Sequence, residues 1–244
     1  MEVLYIAWQQ ADSREWIPVG RLDREESGTF RFVYTKGAKR ALGFKAFGRM
    51  TDLDTAYHSD ELFPLFANRV LTKSRPEYSD YVRWTGLSAD RASDPLTILS
   101  ITGGLRGTDP IELFPAPVRT ADGRFSIDFF ARGLRHFAEP NLKAADELVS
   151  GARLFVMRDM QNEHDRFALT LRTSDPSYLV GYCPKYYTKT VCKLLEQNVN
   201  AVKVTVKQVN QKAPFSMRLL CNLEADWPVG FEPFTDSEDF LPLA

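Results

Sequence analysis

The stretch GARLFVMRDMQNEHDRFALTLRT, residues 151–173, places two strand-like runs on either side of a polar tetrapeptide. The first run is apolar and ends at Asn162-Glu163-His164-Asp165, and an alternating run follows. Such runs around a polar break predict two β-strands joined by a hairpin turn. One of the chain's three histidines lies in this break. The tetrapeptide is therefore either a plain turn or part of the wall of a site.

The surrounding region, from about residue 124 to 223, has the same strand-rich pattern. A helical period at 186–197 places Val191, Leu194 and Leu195 on one face. Five or six short strands with one or two helices predict a small OB-like β-barrel, closed or half closed. The strand-like runs are 124–134, 152–159, 167–173, 177–184, 201–209 and 215–223.

The first half of the chain predicts a small β-sheet followed by short helices, so the fold class is α+β. Strand-like runs occupy 2–8, 16–22 and 29–35, and helical patterns lie within 59–71, 74–87 and 93–104. The Pro- and Gly-rich segment 114–124 is the expected boundary. We therefore expect domains at 1–115 and 122–223 and an acidic, aromatic tail at 224–244.

Composition narrows the class of protein. No apolar run approaches the roughly 18–20 residues of a spanning helix, and no signal peptide opens the chain, so a cytoplasmic protein is expected. The cysteines, Cys183, Cys192 and Cys221, are scattered and suggest buried free thiols rather than a metal site. Nucleotide-binding and catalytic motifs are missing. We expect no enzymatic activity, no cofactor and no metal.

Charge is distributed unevenly along the chain. Residues 125–221 carry a net charge of +5, and residues 222–244 carry −6. A basic segment followed by an acidic one is typical of a protein with a polyanionic partner. The tail is either a packed C-terminus or a mimic of nucleic acid that covers the basic segment.

The second half resembles the HIRAN domain from about Phe125 to Leu223. Three blocks carry the resemblance in the family's order. The resemblance implies an OB-like barrel that captures a single-stranded 3′ end of DNA. The blocks are FFARGLRHF at 129–137, LVSGARLFVMRDMQNEHDRFALTL at 148–171 and YLVGYCPKYYTKTVCKLLEQ at 178–197.

The resemblance implies one role for each of seven residues. A DNA end requires cations for phosphate, flat groups for bases and an acceptor for the free hydroxyl, which is the role implied for Asp165. Other roles stay open: Asp165 as a turn cap, His136 as a core histidine, Tyr182 and Phe215 as core aromatics, and Lys185 as a surface charge. The seven residues are Arg135, His136, His164, Asp165, Tyr182, Lys185 and Phe215.

The first half resembles the N-terminal lobe piece of HipA-type serine/threonine kinases. The opening hairpins LYIAWQQADSREWIPVGRL at 4–22 and GTFRFVYTKGA at 28–38 carry this resemblance, together with LFPLFANRVLTKSRPEY at 62–78. It implies docking on a separate HipA-like kinase in a toxin–antitoxin or defence operon. An interaction protein or antitoxin with little DNA binding is therefore the alternative function. The aromatics suggested for docking are Phe63, Phe66, Tyr78 and Trp84, unless they pack locally.

Overall fold

The computed structural model describes residues 3–244. They divide into two compact units: unit 1 comprises 3–79, 87–116 and 232–244, and unit 2 comprises 80–86 and 117–231. The change from unit 1 to unit 2 at Ala116 and Pro117 lies inside the Pro- and Gly-rich segment 114–124. Two segments differ from the expected division, because 80–86 belongs to unit 2 and 232–244 belongs to unit 1.

Unit 1 is built around a five-stranded antiparallel sheet with the order β4-β3-β2-β1-β5. The three predicted strands are present, and Phe32 at the centre of β3 is fully buried against the ring of Phe66. The fifth strand was not predicted and pairs with β1. The strands are β1 (Val3–Gln9), β2 (Trp16–Arg24), β3 (Phe30–Tyr34), β4 (Tyr57–Ser59) and β5 (Ile111–Pro115).

The helices of the first half are short. The fourth shows the predicted start and stop: Asp94 accepts the N–H of Leu96, Pro95 opens the helix, and Gly103, with φ of 70°, ends it. The helix expected within 59–71 has only four residues. The helices are α1 (Lys36–Arg40), α2 (Pro64–Ala67), α3 (Tyr78–Trp84) and α4 (Pro95–Thr102).

Unit 2 contains a seven-stranded antiparallel sheet with the order β10-β9-β8-β11-β12-β7-β6. Helices α5 and α6 accompany it, together with residues 80–84 of α3. Strands β8 and β9 are the two strands of the opening stretch. The strands are β6 (Val118–Arg119), β7 (Arg124–Phe130), β8 (Arg153–Arg158), β9 (Leu169–Arg172), β10 (Leu179–Tyr182), β11 (Lys203–Val209) and β12 (Leu219–Asp226); the helices are α5 (Glu139–Asp146) and α6 (Lys185–Gln197).

The sheet of unit 2 is not a closed barrel, which corrects the closed form of the prediction. Its order ends at β10 and β6, and an isolated antiparallel bridge between Arg132 and Tyr182 connects the segment after β7 to β10. The chain then turns at Gly133, whose φ of 76° is not that of a strand. The pairing therefore stops at a bridge and does not continue as a ladder.

The C-terminal segment is packed, which is the first of the two alternatives given for the tail. Residues 224–226 complete β12, and Phe231 packs on Phe125 within unit 2. Within unit 1, the rings of Phe234 and Phe240 stack with centroids 4.4 Å apart, and Phe234 is buried. The acidic stretch is thus part of two folded units.

The three cysteines are free and buried, as the sequence suggested. Burial raises the pKa of the Cys183 and Cys221 thiols well above the ordinary value. Within residues 3–244, no group of three or more His, Cys, Asp or Glu side chains is arranged to hold a metal ion. No helix in that range is long and apolar enough to cross a bilayer.

Candidate nucleic-acid interface

The turn between β8 and β9 is held together by the side chain of Asn162. Its Oδ1 accepts hydrogen bonds from the backbone N–H groups of His164, at 3.1 Å, and Asp165, at 2.9 Å. Its amide group donates to Oδ2 of Asp159 at 3.1 Å. A short polar side chain that bonds its own backbone is a usual way to fix such a turn. Asn162 therefore sets the conformation from which His164 and Asp165 project.

Asp165 connects this turn to helix α6. Its Oδ1 accepts the N–H of Phe167 at 2.8 Å, and its Oδ2 lies 3.2 Å from the hydroxyl of Thr188. That hydroxyl also lies 2.8 Å from the carbonyl oxygen of Lys185. Because a hydroxyl has one proton to donate, the two acceptors compete for it. Oδ2 of Asp165, in a partly buried side chain, keeps capacity for another donor.

Tyr182, at the end of β10, forms an aromatic pair with Phe137. The two rings are stacked, with centroids 5.7 Å apart and planes 8° from parallel. The Tyr182 hydroxyl donates to Oδ2 of Asp159 at 3.0 Å. Burial, together with the bond to this carboxylate and its charge, raises the pKa of Tyr182, so the hydroxyl stays a donor. The pair is a partly exposed flat surface suited to stacking.

Arg135 and His136 lie in a single 3-10 turn, Leu134–His136, directly after Gly133. Both side chains are exposed, and Nε of Arg135 donates to Nε2 of His136 at 3.0 Å. His136 is therefore not a core histidine, which leaves the surface role.

Phe215 begins another short 3-10 turn, Phe215–Met217, that lies beside the turn of Leu134–His136. Its ring is exposed, and the guanidinium of Arg218 lies 5.0 Å from the ring centroid. Phe215 is therefore not a core aromatic, and its exposed ring is available for contact with a base.

Hydrogen bonds and neighbouring turns connect all seven predicted residues. Nζ of Lys185 donates to the carbonyl oxygen of His164 at 3.2 Å, which joins the start of α6 to the turn. Tyr182 reaches the same turn through Asp159, and the turn of Leu134–His136 borders β10. We call this set, with Asp159, Asn162 and Phe137, the rim. It combines an exposed cation, a partly exposed cation, flat rings and a carboxylate.

Sequence reasoning missed three members of the rim. Asn162 and Asp159 lie in the opening stretch, and the Asn-x-x-Asp spacing was a usable signal for Asn162. Phe137 ends the block FFARGLRHF, from which only Arg135 and His136 were among the seven predicted residues. Its stacking on Tyr182 joins residues far apart in sequence, so local pattern did not reveal it.

The docking aromatics proposed for the first half require a correction. Phe66 is fully buried in the core of unit 1, and the partly buried ring of Phe63 lies 6.2 Å from the ring of Phe66. Phe66 therefore cannot be an exposed docking residue, because the core of the sheet needs it. Tyr78 and Trp84, in α3, are both partly exposed.

Comparisons with known proteins address the region that holds the rim. Residues 124–227 match the family model of the HIRAN domain. This confirms the predicted resemblance for the second half. None of the curated proteins compared with the chain matches it.

Two solved structures are similar to parts of the chain. A crystal structure of a protein from Lactobacillus plantarum has 18% identity and a TM-score of 0.32, covering 42% of this chain and 97% of that one. The crystal structure of the HIRAN domain of human HLTF has 16% identity and a TM-score of 0.32, covering 44% of this chain and 84% of that one.

Proposed function

We propose that unit 2 is a non-catalytic module that binds single-stranded DNA and recognises its 3′ end at the rim. The observation that carries the proposal is the position of Asp165, held by Phe167 and Thr188 inside a region that matches the HIRAN domain. A carboxylate there accepts a hydrogen bond from a terminal 3′ hydroxyl. It repels the phosphate that replaces this hydroxyl when the strand continues.

The other rim residues supply the remaining contacts with a strand. Lys185 and Arg135 provide cations for phosphate, and the Tyr182–Phe137 pair and Phe215 provide rings for bases. Stacking of a base on an aromatic side chain is worth about 1–3 kcal/mol. Binding that uses phosphate contacts releases counterions, so its affinity falls as salt rises.

The test is titration of a labelled single-stranded decamer into the full chain at several salt concentrations. We expect saturable binding that weakens with salt. The matched variant Arg135→Gln with Lys185→Gln should weaken binding and reduce the salt dependence. Absence of binding by the folded wild-type chain at low salt would contradict the proposal.

Docking of unit 1 on a HipA-like kinase, within a toxin–antitoxin operon, stays a prediction that rests on the resemblance of the opening hairpins. With Phe66 buried, it depends on other surface residues of unit 1, among them Tyr78; Trp84 belongs to unit 2. Co-purification with the product of a neighbouring kinase-like gene would support it, and failure to form a complex would count against it.

A further inference from the structure

A second basic surface lies next to the rim and is not part of the seven predicted residues. It is centred on the ring of Phe167, which follows the turn between β8 and β9. Three cationic groups surround this ring: Arg166 at 4.7 Å from the centroid, Arg158 at 5.7 Å and Lys189 at 5.8 Å. They come from three places in the fold, namely the turn, the end of β8 and helix α6.

The backbone of Phe167 is fixed on both sides, which fixes the centre of this surface. Its N–H donates to Oδ1 of Asp165 at 2.8 Å, and its carbonyl oxygen lies 3.9 Å from Sγ of Cys192 on α6. The ring therefore holds three exposed cations near one another through cation–π contacts. Those contacts are weak at exposed sites, about 0.5–1 kcal/mol each.

The three cations lack a counter-charge within the part of the chain that is described. None of Arg158, Arg166 and Lys189 forms an ion pair with a carboxylate in residues 3–244. The carboxylate of Asp165, which accepts from the Phe167 N–H and lies near the Thr188 hydroxyl, forms no ion pair with these three cations in residues 3–244. Three like charges around one ring repel one another, so a bound polyanion would be stabilised by all three.

The position of Lys189 relates this surface to the rim. Lys185 and Lys189 are four residues apart on α6 and therefore lie on the same side of the helix, about 6 Å apart along its axis. Lys185 contacts the turn at His164, and Lys189 contacts the ring of Phe167. The two surfaces are thus successive along one helix face.

We infer that this second surface binds the phosphodiester backbone of the strand behind its 3′ end. We call it the Phe167 cluster; it consists of Arg158, Arg166, Phe167 and Lys189. The inference rests on the proposed function, because the strand is the one whose end the rim holds. It adds a second contact surface to the end site: the rim reads the terminus, and the cluster holds the phosphates that lead to it.

The experiment compares two double variants of the full chain on a single-stranded decamer. Arg158→Gln with Lys189→Gln removes two charges from the cluster. Lys143→Gln with Lys203→Gln removes two exposed charges from α5 and β11 as a control. A single strand contributes about 0.7 to the slope of log affinity against log salt per neutralised phosphate. The cluster variant should lower the slope by about 1.4, and the control should leave it unchanged.

The preference for a 3′ hydroxyl over a 3′ phosphate separates the cluster from the rim. The cluster variant should keep the wild-type ratio of the two affinities, because its residues do not meet the terminus. A slope equal to that of wild type, or to that of the control, would overturn the inference alone. If the wild type binds no decamer, both the inference and the proposed function fail.

Discussion

The hydroxyl of Thr188 on α6 lies 3.2 Å from Oδ2 of Asp165 in the turn between β8 and β9. This contact joins the tetrapeptide Asn-Glu-His-Asp to a helix about twenty residues later in sequence. It keeps the carboxylate at the rim while leaving it able to accept another hydrogen bond, since Thr188 shares its proton with the carbonyl oxygen of Lys185. The turn is thus both capped locally and held in tertiary structure.

Asp165→Asn tests the selection of ends. The amide keeps an oxygen that can accept the Phe167 N–H but removes the negative charge. We expect similar or tighter binding of a 3′-phosphorylated decamer and weaker binding of the 3′-hydroxyl decamer, measured by fluorescence anisotropy. Glu163→Gln, in the same turn and exposed, is the control and should leave the ratio of the two affinities unchanged.

Tyr182 tests the aromatic pair. Tyr182→Phe keeps the stack on Phe137 but loses the bond to Asp159, so we expect a loss of stability of about 0.5–1.5 kcal/mol with stacking retained. Tyr182→Ala removes the ring and should weaken strand binding by about 1–3 kcal/mol more than Tyr182→Phe does. Equal binding by the two folded variants would show that no base stacks on this ring.

Replacement of Gly181 by alanine tests the bridge that joins β10 to the segment after β7. A Cβ at this position would lie 2.6 Å from Cβ of Ala131, and φ is 147°. Gly151, with φ of 86° and no atom within 4 Å of a built Cβ, is the matched control. Gly181→Ala should be less stable than Gly151→Ala by about 1–3 kcal/mol, as measured by urea unfolding. Similar losses of stability in the two variants would mean that the segment holding Ala131 shifts to admit the new Cβ at little cost.

If the C-terminal segment is a packed part of unit 1, removing one of its buried rings should destabilise that unit. If it is a covering tail, the same change should instead tighten DNA binding. Phe234→Ala should cost about 3–5 kcal/mol in the stability of unit 1, because its ring is buried against Tyr5, Phe114 and Phe240. Val229→Ala, at a fully exposed side chain, should change stability by less than about 0.5 kcal/mol. Tighter DNA binding by Phe234→Ala would instead favour a covering role.

The reactivity of the cysteine thiols at different pH values tests whether they are buried. Burial raises the pKa of Cys183 and Cys221, so little thiolate forms in the folded protein at pH 8. A thiol reagent should then react slowly with the native chain at pH 8, and rapidly with all three cysteine thiols once the chain is unfolded in denaturant. Raising the pH to 9 should produce little native reaction. Rapid native reaction of these two thiols would contradict their burial.

Local signals predicted those elements that depend on neighbouring residues. The strand-like run at 29–35 and the Asp94-Pro95 start and Gly103 end of α4 are examples, since strand propensity and helix caps act within one element. Strand β5 was missed because Ile111–Pro115 is short and flanked by proline, and its pairing with β1 is a long-range contact. The helix expected within 59–71 shortened to α2, and Arg69, two residues beyond its end, is buried and forms an ion pair with Asp109.

The residues of the site also divide into those that local sequence predicts and those whose place depends on long-range contacts. Asp165 and Lys185 could be chosen from ordered sequence blocks, because each lies in a recognisable segment. Phe137 could not, since its place depends on a stack with Tyr182 across the fold. Closure of the barrel was overstated, because a turn at Gly133 limits the pairing of the segment after β7 to the bridge at Arg132.

The most direct test of the central claim compares two decamers of identical sequence that differ only in a 3′ hydroxyl or a 3′ phosphate. Their dissociation constants for the full wild-type chain are measured at one salt concentration and one pH. Recognition of ends by Asp165 predicts tighter binding of the 3′-hydroxyl decamer, with the difference lost in Asp165→Asn. Equal affinity of the wild-type chain for both decamers would contradict the account.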